Sequence, residues 1–190
     1  MHRRPLLELL DCYQRRYPSE QAVVDRIRRL VESSPTCFER TCRPGHITGS
    51  AWILSPDRRR CLLTYHRRLK RWLQLGGHAD GQTNVEEVAL REAREESGLA
   101  DFDLPSLDGI LLPLDVDVHL IPPHHDAAGN RVDDTHEHHD IRFLLIAHQE
   151  TVTISDESHD LRWFTPDEVV EVTTEESILR MLRKCEAWFL

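Results

Sequence analysis

Long apolar runs, paired cysteines and an excess of basic residues are all missing from this sequence. The five cysteines are odd in number and include no C-x-x-C pair. This argues against both a disulfide framework and a thiolate zinc site. The apolar stretch near the start is interrupted by Glu8 and Asp11, too early for a signal peptide or a membrane span. These absences predict a cytoplasmic protein that does not enter a membrane.

Acidic residues outnumber basic ones by 33 to 24, which gives a formal net charge of -9. That balance argues against a broad electrostatic surface for nucleic acid or anionic lipid. An anionic small molecule would instead require a metal ion or a few local arginines. The chain has 190 residues, of which 39% are apolar, so it can bury one good core and a small appendage.

The pattern of apolar residues divides the chain into two predicted regions. Residues 1–40 are predicted to form a helical extension of two short amphipathic helices, with Ser19 as the N-cap of the second. Residues 45–190 are predicted to form the main domain. Alternating or continuous apolar runs predict its strands over residues 47–54, 60–66, 72–75, 110–121, 141–147 and 160–164. Helices are predicted after Thr165 and over residues 175–189.

A helix is predicted after the loop that contains Gly76 and Gly77, called the glycine loop below. One side of this helix changes from apolar to acidic along its length. At about 100° per residue, one side of this helix first carries Val85, Val88 and Ala89. One turn further on, the same side carries Glu92, Glu95 and Glu96. Carboxylates that converge and lose hydration require a compensating cation, for which magnesium or manganese is suited to oxygen ligands. The alternative is an exposed acidic face paired with neighbouring arginines.

Residues 77–99 resemble the signature of the Nudix hydrolases, G-x5-E-x7-R-E-U-x-E-E-x-G-U, where U is aliphatic. Eight of the nine specified positions match in this sequence, and they include Gly77, Arg91, Glu92, Glu95, Glu96 and Gly98. Thr83 occupies the position of the first glutamate in the pattern. Fixed spacing on a helix that already requires a cation makes the resemblance specific.

The resemblance implies a Nudix-type α/β/α sandwich with a mixed sheet, to which the N-terminal helices are an addition. It implies a metal-dependent pyrophosphohydrolase that cleaves the diphosphate of a nucleoside diphosphate derivative by attack of water. The expected cofactor is Mg2+ or Mn2+, and a homodimer is consistent with the family. The expected metal ligands are the three glutamates and the carbonyl of Gly76 or Gly77. Arg91 is expected to orient a glutamate, and Glu92 and Glu157 are the alternatives for the catalytic base.

Thr83 leaves a second function open. The family glutamate at this position supports the loop and helix, and Thr83 with Glu86 forms an S/T-x-x-E capping box that can replace part of that support. The helix is therefore expected to form. The alternative to the enzyme is a Nudix-fold module that binds a nucleotide or a partner protein without turnover.

Arg67 and Arg142 are candidates for binding the substrate. Arg67 lies in the basic run at residues 66–71, just before the glycine loop, where it could contact phosphate. The alternative is a solvated hairpin tip. Arg142 alternates with apolar residues in a predicted strand, so it faces either the site or the outer side of the sheet.

A histidine-rich stretch covers residues 119–139. Its closely spaced imidazoles raise the hypothesis of a zinc site, formed among His119, His124, His125, His136, His138 and His139. The spacing matches no standard structural zinc site. The alternative is a long polar loop beside the active site that selects the substrate.

Overall fold

A computed structural model describes residues 2–106, 109–125, 128, 131–155 and 158–189. The α helices within these residues are α1 (Arg4–Arg16), α2 (Gln21–Ser33), α3 (Val85–Ser97), α4 (Pro166–Val172) and α5 (Glu176–Lys184). The strands are β1 (Gly45–Leu54), β2 (Cys61–His66), β3 (Trp72–Leu73), β4 (Leu75–His78), β5 (Phe102–Asp103), β6 (Asp115–Ile121), β7 (His124–His125), β8 (Arg131–Asp133), β9 (His136–Ala147) and β10 (Ser158–Phe164). No helix in the described part of the chain has the length and apolar character needed to cross a bilayer.

Eight of these strands form one open, mixed sheet with the order β10-β2-β1-β9-β5. Strand β3 pairs with β2, β4 with β1, and β6 with β9, whereas β7 and β8 form a separate pair. The predicted combination of a mixed sheet, flanking helices and N-terminal helices is confirmed.

The chain groups into two compact units. The first contains Met1–Thr48, His78–Val85 and Val116–Ile141, and the second contains Gly49–Gly77, Glu86–Asp115 and Arg142–Leu190. The predicted division into residues 1–40 and 45–190 stays a prediction.

The second unit has apolar clusters on both faces of its strands. Because successive side chains of a strand point to opposite faces, Trp52 and Leu54 of β1 join one cluster while Ala51 and Ile53 join the other. The first cluster receives helices α4 and α5 through Val169, Ile178, Met181 and Leu182. The second cluster receives helix α3 through Leu90 and Ala93. Helices therefore cover the strands of this unit on both sides, and α3 has a fixed apolar base.

The first unit contains the N-terminal helices. Helix α1 buries Leu6, Leu10 and Tyr13, and helix α2 buries Val24, Ile27, Leu30 and Val31. Their predicted amphipathic character is thus confirmed. The prediction that Ser19 caps the second helix is wrong, because Ser19 lies inside the short 3-10 helix Pro18–Glu20 and the N-cap position of α2 belongs to Glu20. The proline favours this extra turn before α2 begins.

Two predicted helix ends are confirmed. Thr165 caps α4 in a reciprocal capping box with Glu168, and Pro166 occupies the first turn. Gly98 follows α3 with φ +70°, a left-handed conformation that suits glycine, and Leu99 is buried beside it.

Two strands have bounds that differ from their predictions. Strand β6 begins at Asp115 rather than at residue 110, because Pro113 lacks the backbone donor that a continuous ladder requires. Strand β9 begins at His136, five residues earlier than predicted. The histidine-rich stretch at residues 119–139 is therefore not one long polar loop, since His136 and His138 lie on β9. His119 lies on β6, within the strand predicted over residues 110–121.

None of the five cysteines forms a disulfide bond, and they differ in exposure. Cys37, Cys42, Cys61 and Cys185 are buried, whereas Cys12 on α1 is half-buried. Burial raises the pKa of Cys37 to about 11 and that of Cys185 to about 12. These side chains act as small apolar groups in the packing of the protein.

Candidate functional site

Two glycines at the end of β4 bring the backbone close to other chain segments. A Cβ atom added at Gly77 would lie 2.5 Å from Oε2 of Glu92, and one added at Gly76 would lie 2.1 Å from Oγ of Ser50. At Gly76 the added atom would also lie 2.7 Å from the backbone Cα of Ser50, so glycine is required there. At Gly77 the atoms it would meet belong to the end of the Glu92 side chain, which would have to move. The sequence therefore positions the Gly77 backbone directly against a carboxylate of α3.

The three signature glutamates on α3 differ in their exposure. The side chain of Glu92 is 14% exposed and that of Glu95 is 64% exposed. Glu96 is 8% exposed and counts as buried. The expected inward side of the helix thus holds Glu92 and Glu96, whereas Glu95 lies at its solvent edge.

Arg91 contacts the acidic residues beside it. Its Nη2 donates a hydrogen bond of 2.6 Å to Oε1 of Glu92, and its Nε lies 4.0 Å from Oε2 of Glu95. A charge-assisted hydrogen bond of this length restricts the carboxylate to one orientation. This contact is of the kind expected for a residue that orients a glutamate.

Thr83 lies two residues before α3. The helix begins at Val85, which places Asn84 immediately before the first helical residue. The capping box expected from Thr83 and Glu86 is one residue out of phase with this start, so capping by Thr83 stays a prediction. The helix itself forms over the predicted residues.

The remaining predicted site residues lie in three different environments. Arg67 is exposed in the turn after β2. Arg142 is buried on β9, where its Nη1 donates to Oδ2 of Asp115 at 3.1 Å. Their roles in binding the substrate stay predictions. Glu157 lies outside the described residues.

Asp115 is the centre of a buried ionic network around Arg142. Its two carboxylate oxygens accept hydrogen bonds of 2.8 and 2.7 Å from Arg180, and Oδ1 also accepts one of 2.7 Å from Lys184. Burial by itself would raise the pKa of Asp115, but the hydrogen bond from Arg180 and the charges of Arg142 and Lys184 together lower it. The carboxylate is therefore ionised in the folded protein.

Histidines form a second cluster of polar side chains, in the first unit. The centroid of the His46 ring lies 4.9 Å from the ring centroid of His138, 5.0 Å from that of His136 and 5.1 Å from that of His78. His119 joins at 5.5 Å from His138. Burial and the neighbouring imidazoles lower the pKa of His46 to about 3 and that of His138 to about 2. The rings of His46 and His138 are therefore neutral at pH 7.

Sequence reasoning missed two members of this cluster. His46 stands alone at the start of β1 and His78 directly follows Gly77, so neither belongs to the histidine-rich stretch. The spacing of His136 and His138 was the available signal, because residues two apart on a strand point to the same face. His139 points elsewhere and contacts Glu137 at 3.1 Å. The side chains of His124 and His125 lie outside the described residues.

Comparison with known proteins identifies the family. A model of the NUDIX domain matches residues 46–185, which is well over half of the chain. The chain belongs to the Nudix family. No curated protein matches it.

Solved structures of other Nudix proteins share the fold. A hydrolase of the NUDIX family from Clostridium perfringens is 21% identical, with a TM-score of 0.57, and the match covers 75% of this chain and 97% of that one. The NUDIX domain of Shewanella oneidensis NrtR, solved with ADP ribose, is 14% identical with a TM-score of 0.52, covering 82% and 92%. An Ap4A hydrolase from C. elegans is 16% identical with a TM-score of 0.50, covering 75% and 96%. At these identities the likeness establishes the fold.

The Gly77–Glu92 contact of this Nudix domain gives a direct test of the loop geometry. Gly77→Ala should lower the free energy of unfolding by about 1–3 kcal/mol, because the added methyl group overpacks against the Glu92 carboxylate. In a Glu92→Ala background the same substitution should cost distinctly less, since the clashing atoms are gone. Urea unfolding of the four proteins measures both costs. Equal costs in the two backgrounds would show that Gly77 does not pack against Glu92.

Proposed function

We propose that this Nudix protein is a magnesium- or manganese-dependent pyrophosphohydrolase. Its proposed substrate is a nucleoside diphosphate joined through the diphosphate to another moiety. The observation that carries this proposal is the placement of Glu92 and Glu96. Both have little access to solvent on the helix of the Nudix signature, and Glu92 lies directly against Gly77.

The donor set fits a hard divalent cation. Carboxylate oxygens and backbone carbonyls are the ligands that magnesium and manganese prefer. Glu92 and Glu96 have lost most of their hydration, which makes a nearby cation favourable. We propose these two residues as ligands together with Glu95 and the Gly77 carbonyl. Glu95 would reach the ion by turning its exposed side chain toward Glu92 and Glu96.

The proposed reaction breaks one P–O bond of the diphosphate and joins the oxygen of water to the attacked phosphorus. When bound, the metal supplies positive charge that neutralises the diphosphate and polarises the attacked phosphorus. Arg91 keeps the Glu92 carboxylate oriented through its 2.6 Å hydrogen bond. Glu92 or Glu157 accepts the proton that the attacking water loses. Arg67 and Arg142 are the proposed contacts to the substrate, and a cytoplasmic homodimer is the proposed setting.

Thr83 supports a second candidate function. A side chain with no carboxylate replaces the first glutamate of the signature at this position. A Nudix domain that binds a nucleotide or a partner protein without turnover is consistent with that change. The two candidates share the fold and differ only in chemistry.

A panel of nucleoside diphosphate derivatives separates the two functions. ADP-ribose and Ap4A belong in it, because one structure of similar fold was solved with ADP ribose and another is named an Ap4A hydrolase. Incubation with Mg2+ or Mn2+ should release a nucleoside monophosphate and a second phosphorylated product, identified by mass spectrometry, and EDTA should abolish release. Thermal stabilisation by a panel member without product would favour the binding module. If no panel member is cleaved and none stabilises the protein, both proposed functions are contradicted.

A further inference from the structure

The histidine cluster of the first unit has no part in the proposed hydrolysis, and its ligand atoms converge. One nitrogen from each of His46, His136 and His138 lies within 4.8 Å of the other two. Among the described residues, this is the only such group of histidine, cysteine or acidic side chains, and the signature glutamates do not form another. The ligand chemistry of this cluster therefore differs from that of the carboxylates in the family signature.

The separation between two of these nitrogens matches a metal geometry. Nε2 of His136 lies 3.3 Å from Nε2 of His138. Two nitrogens bound to one tetrahedral zinc ion at its usual bond lengths are separated by about 3.3–3.4 Å. Because His136 and His138 are two residues apart on β9, the strand itself aims both rings at the same point.

The other ring nitrogen of His136 is already engaged. Nδ1 lies 2.7 Å from the carbonyl oxygen of Asp134, so the N–H donates there and the lone pair of Nε2 faces the cluster. Metal-bound histidines characteristically use their second nitrogen in this way, which fixes the tautomer and the ring orientation. The arrangement is thus that of a ligand held ready for an ion.

His46 supplies the strongest argument. It is 1% exposed, and neither ring nitrogen makes a hydrogen bond of good geometry within the described part of the chain. The backbone of Cys42 provides only a weak interaction that favours the charged ring. A buried ring whose nitrogens make no hydrogen bond of good geometry is costly, and it indicates a further bound partner. A metal ion at the point where the three rings meet would satisfy it.

We propose that His46, His136 and His138 bind a divalent transition-metal ion of the zinc type. Imidazole nitrogens favour zinc, copper or nickel over magnesium, so this site and the carboxylate site would select different ions. The ion would join the start of β1 to the start of β9, which are 90 residues apart in sequence. Its expected role is to stabilise the first unit, since an ion bound only by the folded state raises the melting temperature.

Zinc binding by the whole chain tests the proposal. Protein expressed without a polyhistidine tag is stripped with EDTA, loaded with Zn2+, dialysed and analysed for metal by mass spectrometry. We expect one zinc ion per chain and a higher melting temperature with zinc than without. Wild-type protein that retains no zinc would overturn the proposal.

Variants locate the ion. His136→Ala and His138→Ala should each weaken zinc binding by at least about 100-fold, more than the usual cost of losing an outer partner. The matched control is His148→Ala, which removes a histidine that does not belong to the cluster. His148 lies one residue beyond β9, and within the described part of the chain its ring contacts the exposed Asp103. The control variant should bind zinc as the wild type does. Equal binding by the wild type and both cluster variants would contradict the assignment.

Two further measurements keep the histidine site separate from the proposed hydrolase site. The double variant Glu92→Gln/Glu96→Gln should retain zinc with unchanged affinity, and loss of zinc there would overturn the assignment to histidine. Wild-type protein loaded with Co2+ should show the intense visible bands of a tetrahedral, nitrogen-bound ion, whatever the folding of the variants. Only the weak bands of an octahedral, oxygen-bound ion would count against the proposal.

Discussion

Glu96→Gln is expected to lower kcat/KM by at least about 100-fold at saturating Mg2+. The substitution keeps the shape of the side chain but removes the charge of a buried proposed ligand. The charge stabilisation that a bound metal provides in the transition state amounts to several kcal/mol, and each 1.36 kcal/mol corresponds to about a tenfold change in rate. Initial rates of product release on the substrate identified by the panel measure the effect.

Glu87→Gln is the matched control for this loss of activity. Glu87 lies on the same helix but is exposed, so the same change of charge should leave the rate within a factor of about two. Glu95→Gln, which tests the third proposed ligand, should cause a loss comparable to that of Glu96→Gln. Circular dichroism should show the same helix content in all variants. Unchanged turnover in Glu96→Gln would refute the carboxylate site.

Asp115→Asn is expected to lower the free energy of unfolding by about 3–5 kcal/mol. Asp115 is fully buried and accepts hydrogen bonds from Arg142, Arg180 and Lys184. The substitution removes the negative charge that these three cations share at a buried position, and Arg142 is itself buried. Breaking a buried ion pair by removing one partner is among the costliest single changes in a protein interior. Urea unfolding at pH 7 measures the loss.

The pH dependence of the Asp115 variant provides a second, independent readout. The pKa of Asp115 in the folded protein is below its ordinary value of 3.8, so its ion pairs add stability above that value. This contribution disappears as the pH falls through the lowered pKa. The stability difference between wild type and Asp115→Asn should therefore be full at neutral pH and shrink below about pH 4.

Asp103→Asn is the control for the buried network. Asp103 contacts the ring of His148 at 2.8 Å, but its side chain is 68% exposed. Exposed pairs contribute about 0–1 kcal/mol, so this variant should differ little from the wild type. A comparable loss in both variants would show that burial of the Asp115 network is not the cause.

The elements that could be predicted from the sequence are those whose apolar residues repeat regularly. Strand β1 was predictable because alternate residues such as Trp52 and Ile53 enter cores on opposite faces. Helix α3 was predictable because Val85 and Val88 precede Leu90 and Ala93 at helical spacing, and Gly98 marks its end. In these segments the buried apolar residues recur at the period of a strand or a helix, so their spacing in the sequence predicts the structure.

The start of β9 could not be predicted in the same way. His136 and His138 are polar, so the start of the strand that carries them shows no apolar alternation. The prolines at 122 and 123 and the glycine at 129, earlier in the same stretch, favoured a loop. The rings meet His46 from a strand 90 residues away, and no local pattern encodes such a contact. Likewise, the pairing of Arg142 with Asp115 depends on the neighbouring strands of the fold. Long-range polar contacts are thus the part that sequence periodicity omits.

The unequal exposure of the cysteines has a practical consequence. A thiol reagent reacts with a sulfur that is both deprotonated and accessible. Burial raises the pKa values of Cys37 and Cys185 and also keeps the reagent away from their sulfur atoms. Cys12 on α1 is the one cysteine that is only half-buried. The folded protein therefore offers a single natural attachment point for a fluorophore or spin label. Labelling of the other four cysteines would measure the fraction of unfolded molecules.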